Sequence, residues 1–102
     1  MITLSIRYVI DPYKLKEFEE YARGIAEPIR RCGGVLVGYF LPTKFAGKTD
    51  EALALIEFPN LAAYEDYRAA LARDPRNVEH IARAEAARCI LSEDRAFLAR
   101  VQ

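Results

Sequence analysis

The chain has 102 residues, 52% of them hydrophobic and 29% charged, which is the size and balance of one globular domain with one core. Its 15 basic and 15 acidic side chains cancel and are interspersed, so there is no electrostatic footprint for nucleic acid or an anionic membrane surface. No apolar run approaches the roughly 18 residues of a membrane span, and the first residues lack the basic start and cleavage site of a secretory leader, so a cytoplasmic location is expected.

Residues 2–10 alternate, with Ile2, Leu4, Ile6, Tyr8 and Ile10 on one side and Thr3, Ser5, Arg7 and Val9 on the other, which predicts a strand. We assign the first set to the side that meets the helices. Asp11-Pro12 then marks a helix start, because aspartate caps free N–H groups and proline is pre-shaped for a first turn. Leu15, Phe18, Ala22, Ile25 and Ile29 recur at steps of three and four, giving one apolar stripe. Pro28 predicts a kink or early fraying, and Gly33-Gly34 the end of the helix. A second strand runs from Val35 to Leu41 and a third from Ala52 to Phe58, joined as a hairpin by the polar segment Thr43 to Asp50. Asn60 caps a helix whose buried side is read as Leu61, Tyr64, Arg68 and Leu71, with Tyr67 on its flank. After Asp74-Pro75 a further helix places Val78, Ile81, Ala82 and Glu85 on one line, and a fourth strand is expected around Leu91 to Leu98. The order is βαββαβ with the second helical element split in two.

The middle strands are apolar on both sides. Strict alternation sets Val35, Val37, Tyr39 and Leu41 against Leu36 and Phe40, and Ala52, Ala54, Ile56 and Phe58 against Leu53 and Leu55. Helices can cover one face of a four-stranded sheet, and an antiparallel sheet with its other face in water would show clean polar alternation. The expected cover is the same face of a second copy, related by a two-fold axis, with roughly 800 Å² buried per partner. The alternative is a monomer whose C-terminal segment folds over that face.

The segments RYVIDPYKLKEFEEY, GGVLVGYFLPT, IEFPNLAAYEDYRAAL, ARDPRNV and ILSEDRAFL together resemble the NIPSNAP family of the dimeric α+β barrel superfamily, over nearly the whole chain. The resemblance implies an α+β, ferredoxin-like domain with a four-stranded antiparallel sheet, and a homodimer with facing sheets. It transfers little chemistry, because activity is poorly defined for bacterial members. Related small barrels, among them cofactor-independent monooxygenases and haem-degrading enzymes, hold their substrate between sheet and helices, which is where a ligand is expected here.

Candidate lining groups for that space are Tyr8, Tyr39, Tyr64, Tyr67 and His80. The bland alternative makes the tyrosines core or rim residues and His80 a surface residue; haem ligation by His80 is a minor third reading. Arg7 on a central strand needs an acceptor if the second face is buried, and Glu57 is the candidate, within the chain or across the interface. One histidine and two distant cysteines, Cys32 and Cys89, make no zinc site, and both cysteines read as reduced thiols. Phosphate-loop and dinucleotide fingerprints are absent, so no metal or cofactor is expected. Two functions stay open: a homodimer that binds a small apolar or aromatic molecule or serves as an interaction module, and a cofactor-independent monooxygenase or isomerase.

Overall fold

A computed structural model describes residues 1–102. The alternating first segment forms β1 (Ile2–Ile10). Asp11 Oδ1 accepts from the Tyr13 N–H at 2.9 Å as a cap should, but the turn it opens is a tight 3-10 turn, Pro12–Lys14. The Lys14 N–H bonds back to the Asp11 carbonyl at 2.8 Å, so helix α1 (Leu15–Arg31) starts later than the capping signal implied. Pro28 is buried inside α1, which continues past it to Arg31. The helix then ends in a Schellman motif: Gly33, at φ +110°, donates to the Arg30 carbonyl, and Gly34 donates to the Ile29 carbonyl at 2.9 Å.

Strands β2 (Val35–Phe40) and β3 (Glu51–Phe58) follow, then α2 (Leu61–Arg73), α3 (Pro75–Ala87) and β4 (Ile90–Leu98). The sheet order is β2-β3-β1-β4 and every neighbouring pair is antiparallel. This is the four-stranded α+β arrangement expected from the sequence. No helix is long and apolar enough to cross a membrane.

The inner face of the sheet carries Leu4, Ile6, Tyr8 and Ile10 from β1 and Ala52, Ala54, Ile56 and Phe58 from β3, all buried. Phe18, Ala22, Ile25 and Ile29 of α1 pack onto it as the stripe predicted. Burying each of the larger side chains contributes roughly 1.5–3 kcal/mol.

Three expectations are corrected. Strict alternation fails in β2, where the register with β3 shifts between Leu36 and Gly38. The extra residue of this bulge turns the rest of the strand over. Leu36 pairs with Ile56 and Tyr39 with Ala54 on the inner face, while Val35 pairs with Glu57 and Phe40 with Leu53 on the outer face. In α2 the buried residues are Tyr67 and Leu71, whereas Leu61 is 57% exposed and Arg68 is also in solvent. In α3 the buried positions are Asn77 and Ala84; Val78, Ala82 and Glu85 face outward, while Ile81, although 37% exposed, also borders the space between sheet and helices. The cause is that α3 packs against α1 and α2 instead of lying on the sheet.

Asp74 fastens this corner. Its Oδ1 accepts from the N–H groups of Arg76 and Asn77 at 3.0 and 3.1 Å, capping α3, while Oδ2 takes the guanidinium of Arg31 at the end of α1. The hydrogen bond from Arg31, aided by the two backbone N–H groups, holds the carboxyl below its ordinary value of 3.8. A lowered folded-state value means that the stabilisation is complete above that pH and fades as pH falls through the folded value. Asp74→Ala is expected to lower the melting temperature by roughly 5 °C or more at neutral pH. Thermal melts of variant and parent should converge when repeated in acid below the ordinary aspartate range.

Candidate functional site

Between the inner sheet face and the helices lies a cavity of about 170 Å³. Ile6, Ile25, Ile29, Ile56 and Leu71 supply apolar wall, and Tyr8, Tyr21, Tyr39 and Tyr67 bring phenol rings from four different elements. Arg68, Asn77 and Arg95 complete the polar lining. Space exists here partly because β3 offers only Ala52 and Ala54 beside the rings, paired in register with Tyr8 and Tyr39.

The rings are held by aromatic contact. Phe18, fully buried, meets Tyr8 edge-on with centroids 5.1 Å apart, and lies 5.9 Å from Tyr21 and 6.3 Å from Tyr39. Tyr8 and Tyr39 stack at 6.0 Å, and their hydroxyl oxygens are 3.2 Å apart, so one donates to the other. Burial drives the tyrosine hydroxyls above their ordinary value of 10: Tyr21 to about 12, Tyr8 and Tyr67 higher still, and Tyr39 well above that ordinary value. Their mutual proximity adds to the rise in Tyr8 and Tyr39. At neutral pH the cluster is therefore uncharged. It can donate and accept hydrogen bonds but holds no phenolate to act as a base.

The sign of this shift gives a prediction. Groups that stay protonated longer in the fold contribute full stability below their unfolded value, here near 10, and lose it as pH rises through the folded values. In an alkaline titration followed by phenolate absorbance, four of the six tyrosines should ionise late, as the fold gives way. Four ionisations near the ordinary value, with the fold intact, would contradict the burial.

At the β4 edge of the cavity, Arg95 and Glu93 project to the same side of the strand and pair at 3.1 Å. Burial opposes the Arg95 charge, but the Glu93 carboxylate, together with Tyr8 and Tyr64, leaves the guanidinium above its ordinary value. The lining thus contains two guanidinium groups and no carboxylate of its own.

Of the residues singled out from the sequence, Tyr8, Tyr39 and Tyr67 meet at the cavity. Tyr64 lies outside it, edge-on to Phe58 at 5.3 Å and to Phe97 at 4.9 Å. His80 lies outside it too, in a groove between α1 and α3 beside Glu17, Glu20 and Arg83. Its ring occupies the room left by Gly24, where an added Cβ would fall 2.3 to 2.7 Å from three ring atoms. Tyr21, Arg68, Asn77 and Arg95 were not anticipated. Tyr21 was legible in principle, since it stands three residues after Phe18 and four before Ile25 on α1.

Arg7 and Glu57 both lie on the outer face, but Arg7 pairs with neither Glu57 nor any other carboxylate within the chain. Glu57, 8% exposed, instead accepts from Arg100 Nη1 at 3.2 Å and from the Thr3 hydroxyl at 3.4 Å. Arg7 stands opposite Asp94 of β4 in the ladder. Cys32 and Cys89 are free thiols, raised above their ordinary value chiefly by burial. No group of three or more His, Cys, Asp or Glu side chains is placed to hold a metal ion.

The family model described as NIPSNAP matches residues 4–102 of the chain. The chain belongs to the NIPSNAP family. No curated protein matches it. Among solved structures, a NIPSNAP family protein of unknown function from Agrobacterium tumefaciens superposes with a TM-score of 0.85 at 21% identity, covering 100% of this chain and 91% of that one. An uncharacterized NIPSNAP domain protein from Burkholderia xenovorans gives 0.84 at 18% identity, over 99% and 95% of the two chains. The NIPSNAP fold is also similar to that of an antibiotic biosynthesis monooxygenase, with a TM-score of 0.68 at 14% identity and all of both chains covered. These likenesses establish the ferredoxin-like α+β architecture and leave the chemistry to the residues.

Proposed function

We propose that this NIPSNAP protein works as a homodimer joined sheet to sheet, each subunit binding a small aromatic molecule between its sheet and its helices. The observation that carries the reading is the division of labour between the two faces of one sheet. The inner face lines a partly open cavity bordered by uncharged tyrosines, a mostly apolar space with a few convergent polar groups.

The outer face carries Val9, Val35, Val37, Phe40 and Leu98, each 38% exposed or more, beside half-buried Leu53 and Leu55. So much contiguous apolar surface marks an interaction site. Its charges favour a second copy as the occupant. Arg7 and Asp94 make no ion pair within the chain, so one face presents both signs and complements itself across a two-fold axis. The molecule measures 37 by 34 Å along its long axes and 18 Å through, so its face exceeds the roughly 800 Å² per partner of a stable interface.

Titration with toluene, followed by NMR, tests the binding site. Shifts are expected at Tyr8, Tyr21, Tyr39 and Ile25 and not at Leu53 or Leu55; shifts confined to the outer face would refute the assignment. A second reading, cofactor-independent oxygenation, is favoured by the fold likeness to the monooxygenase. It requires oxygen uptake in step with loss of the bound compound, whereas a binding protein returns its ligand unchanged.

A further inference from the structure

Tyr67 of α2 lines the cavity and is 3% exposed. Its hydroxyl has no hydrogen-bond partner in the chain, yet it is not sealed off: the side-chain oxygen that is both closed in and unpaired belongs to Asn77. What surface this hydroxyl keeps therefore opens into the space that Tyr67 borders. Burial pushes the hydroxyl above its ordinary value, and the nearby charges of Arg95 and Arg68 pull it part of the way back. Both guanidiniums line the same cavity. Three donors thus converge on one side of it, a phenol and two guanidiniums.

The two positive charges are not equally matched. On β4, Arg95 stands opposite Ile6 and Glu93 opposite Tyr8, both on the inner face. One oxygen of Glu93 accepts from Nε and Nη2 of Arg95 at 3.3 and 3.1 Å, so this pair cancels. Arg68 makes no ion pair with any carboxylate of the chain, which leaves the three charges positive by one. Arg68 is exposed and the Arg95 side chain is 38% exposed, so both heads stand at the open mouth, while Ile25, Ile29 and Ile56 form a buried apolar wall. An anion held at that mouth keeps part of its hydration, and a guanidinium offsets the rest of the cost of desolvating it. The space beyond is small: a protein cavity of about 150 Å³ holds benzene, so about 170 Å³ admits one ring.

We infer that the ligand of this cavity is a small aromatic monocarboxylate, its ring among Ile25, Ile29 and Ile56 and its carboxylate at the mouth against Arg68 and the Tyr67 hydroxyl. The inference rests on the cavity reading proposed above and names the ligand class. A carboxylate suits this donor set because it only accepts, and a guanidinium can meet both of its oxygens at once.

Benzoate, benzamide and benzylamine have similar size and are an anion, a neutral molecule and a cation at neutral pH, so titrating them by calorimetry and NMR separates the charge from the ring. At low salt benzoate is expected to bind at least about tenfold more tightly than either of the others, with shifts at Tyr67 and Tyr39 and a preference that narrows as salt is raised. Equal affinity for benzoate and benzamide would leave the cavity reading standing and overturn the carboxylate inference. Tighter binding of benzylamine in the cavity would overturn it too, by making Glu93 the group that reads charge. Benzoate shifts centred on Arg7 of the outer face would likewise overturn it. Binding of none of the three would overturn both readings. Arg68→Gln, at an exposed position of α2, is expected to keep benzamide binding and lose most of the preference for benzoate; a folded variant that keeps the preference overturns the assignment to Arg68.

Discussion

Leu55→Glu is expected to leave the protein a folded monomer at concentrations where the proposed dimer of the parent persists. Leu55 stands on the outer face of β3, paired with Ser5 on one side and Gly38 on the other, so it lies within the sheet and not at an edge. In a single subunit the new carboxylate would face water and the inner core would be untouched. In the dimer the two-fold axis would bury two such charges in one apolar interface, without partners to neutralise them. A rise of roughly a thousandfold or more in the dissociation constant follows, equivalent to about 4 kcal/mol. Sedimentation velocity across a dilution series reads the change, and circular dichroism checks that the fold persists. A variant that stays dimeric at low micromolar concentration would place the interface elsewhere.

Phe18→Ala is expected to cost the fold about 3–5 kcal/mol, the range for emptying a buried aromatic position. Phe18 has no exposed surface and touches three of the cavity tyrosines, so its loss removes packing and also the wedge that orients them. In a domain of this size such a loss is a large part of total stability. Urea unfolding should show the midpoint fall with little change of slope. Affinity for an aromatic probe in the cavity should fall with it, because Tyr8 and Tyr39 lose the ring that holds them in place. A small stability change with unaltered binding would mean that the cavity walls are set by other contacts.

The architecture was legible because burial on β1, α1 and β3 follows simple periods. Leu4, Ile6 and Tyr8 are buried at every second residue, and Phe18, Ala22, Ile25 and Ile29 at every third or fourth. Local pattern failed where a long-range constraint took over. The bulge in β2 leaves no mark in its apolar sequence, since Val35 to Phe40 reads equally well in either parity; only pairing with β3 fixes which residues turn inward. On α3 the apolar residues Val78 and Ile81 drew the eye, yet the helix turns Asn77 and Ala84 inward because Asp74 ties its first turn to Arg31.

The candidate site was legible to the same degree. Tyr8 could be placed from strand parity, whereas Tyr67, read on the flank of its helix, is one of that helix's two buried residues. Tyr39 reached the cavity on the inner side although strict alternation had grouped it with Val35 and Val37. His80 attracted notice as the lone titratable imidazole, but Gly24 leaves it a resting place between helices. Arg95 and Asn77 became visible only in three dimensions, through the orientation of an edge strand and an acceptor without a donor.

Native mass spectrometry of the untreated protein tests most directly whether a second copy covers the open side of the sheet, and also reports any retained small molecule. A species of twice the 11.6 kDa chain mass, persisting to micromolar dilution, is the expected result. A spectrum of single chains alone at every concentration would contradict it.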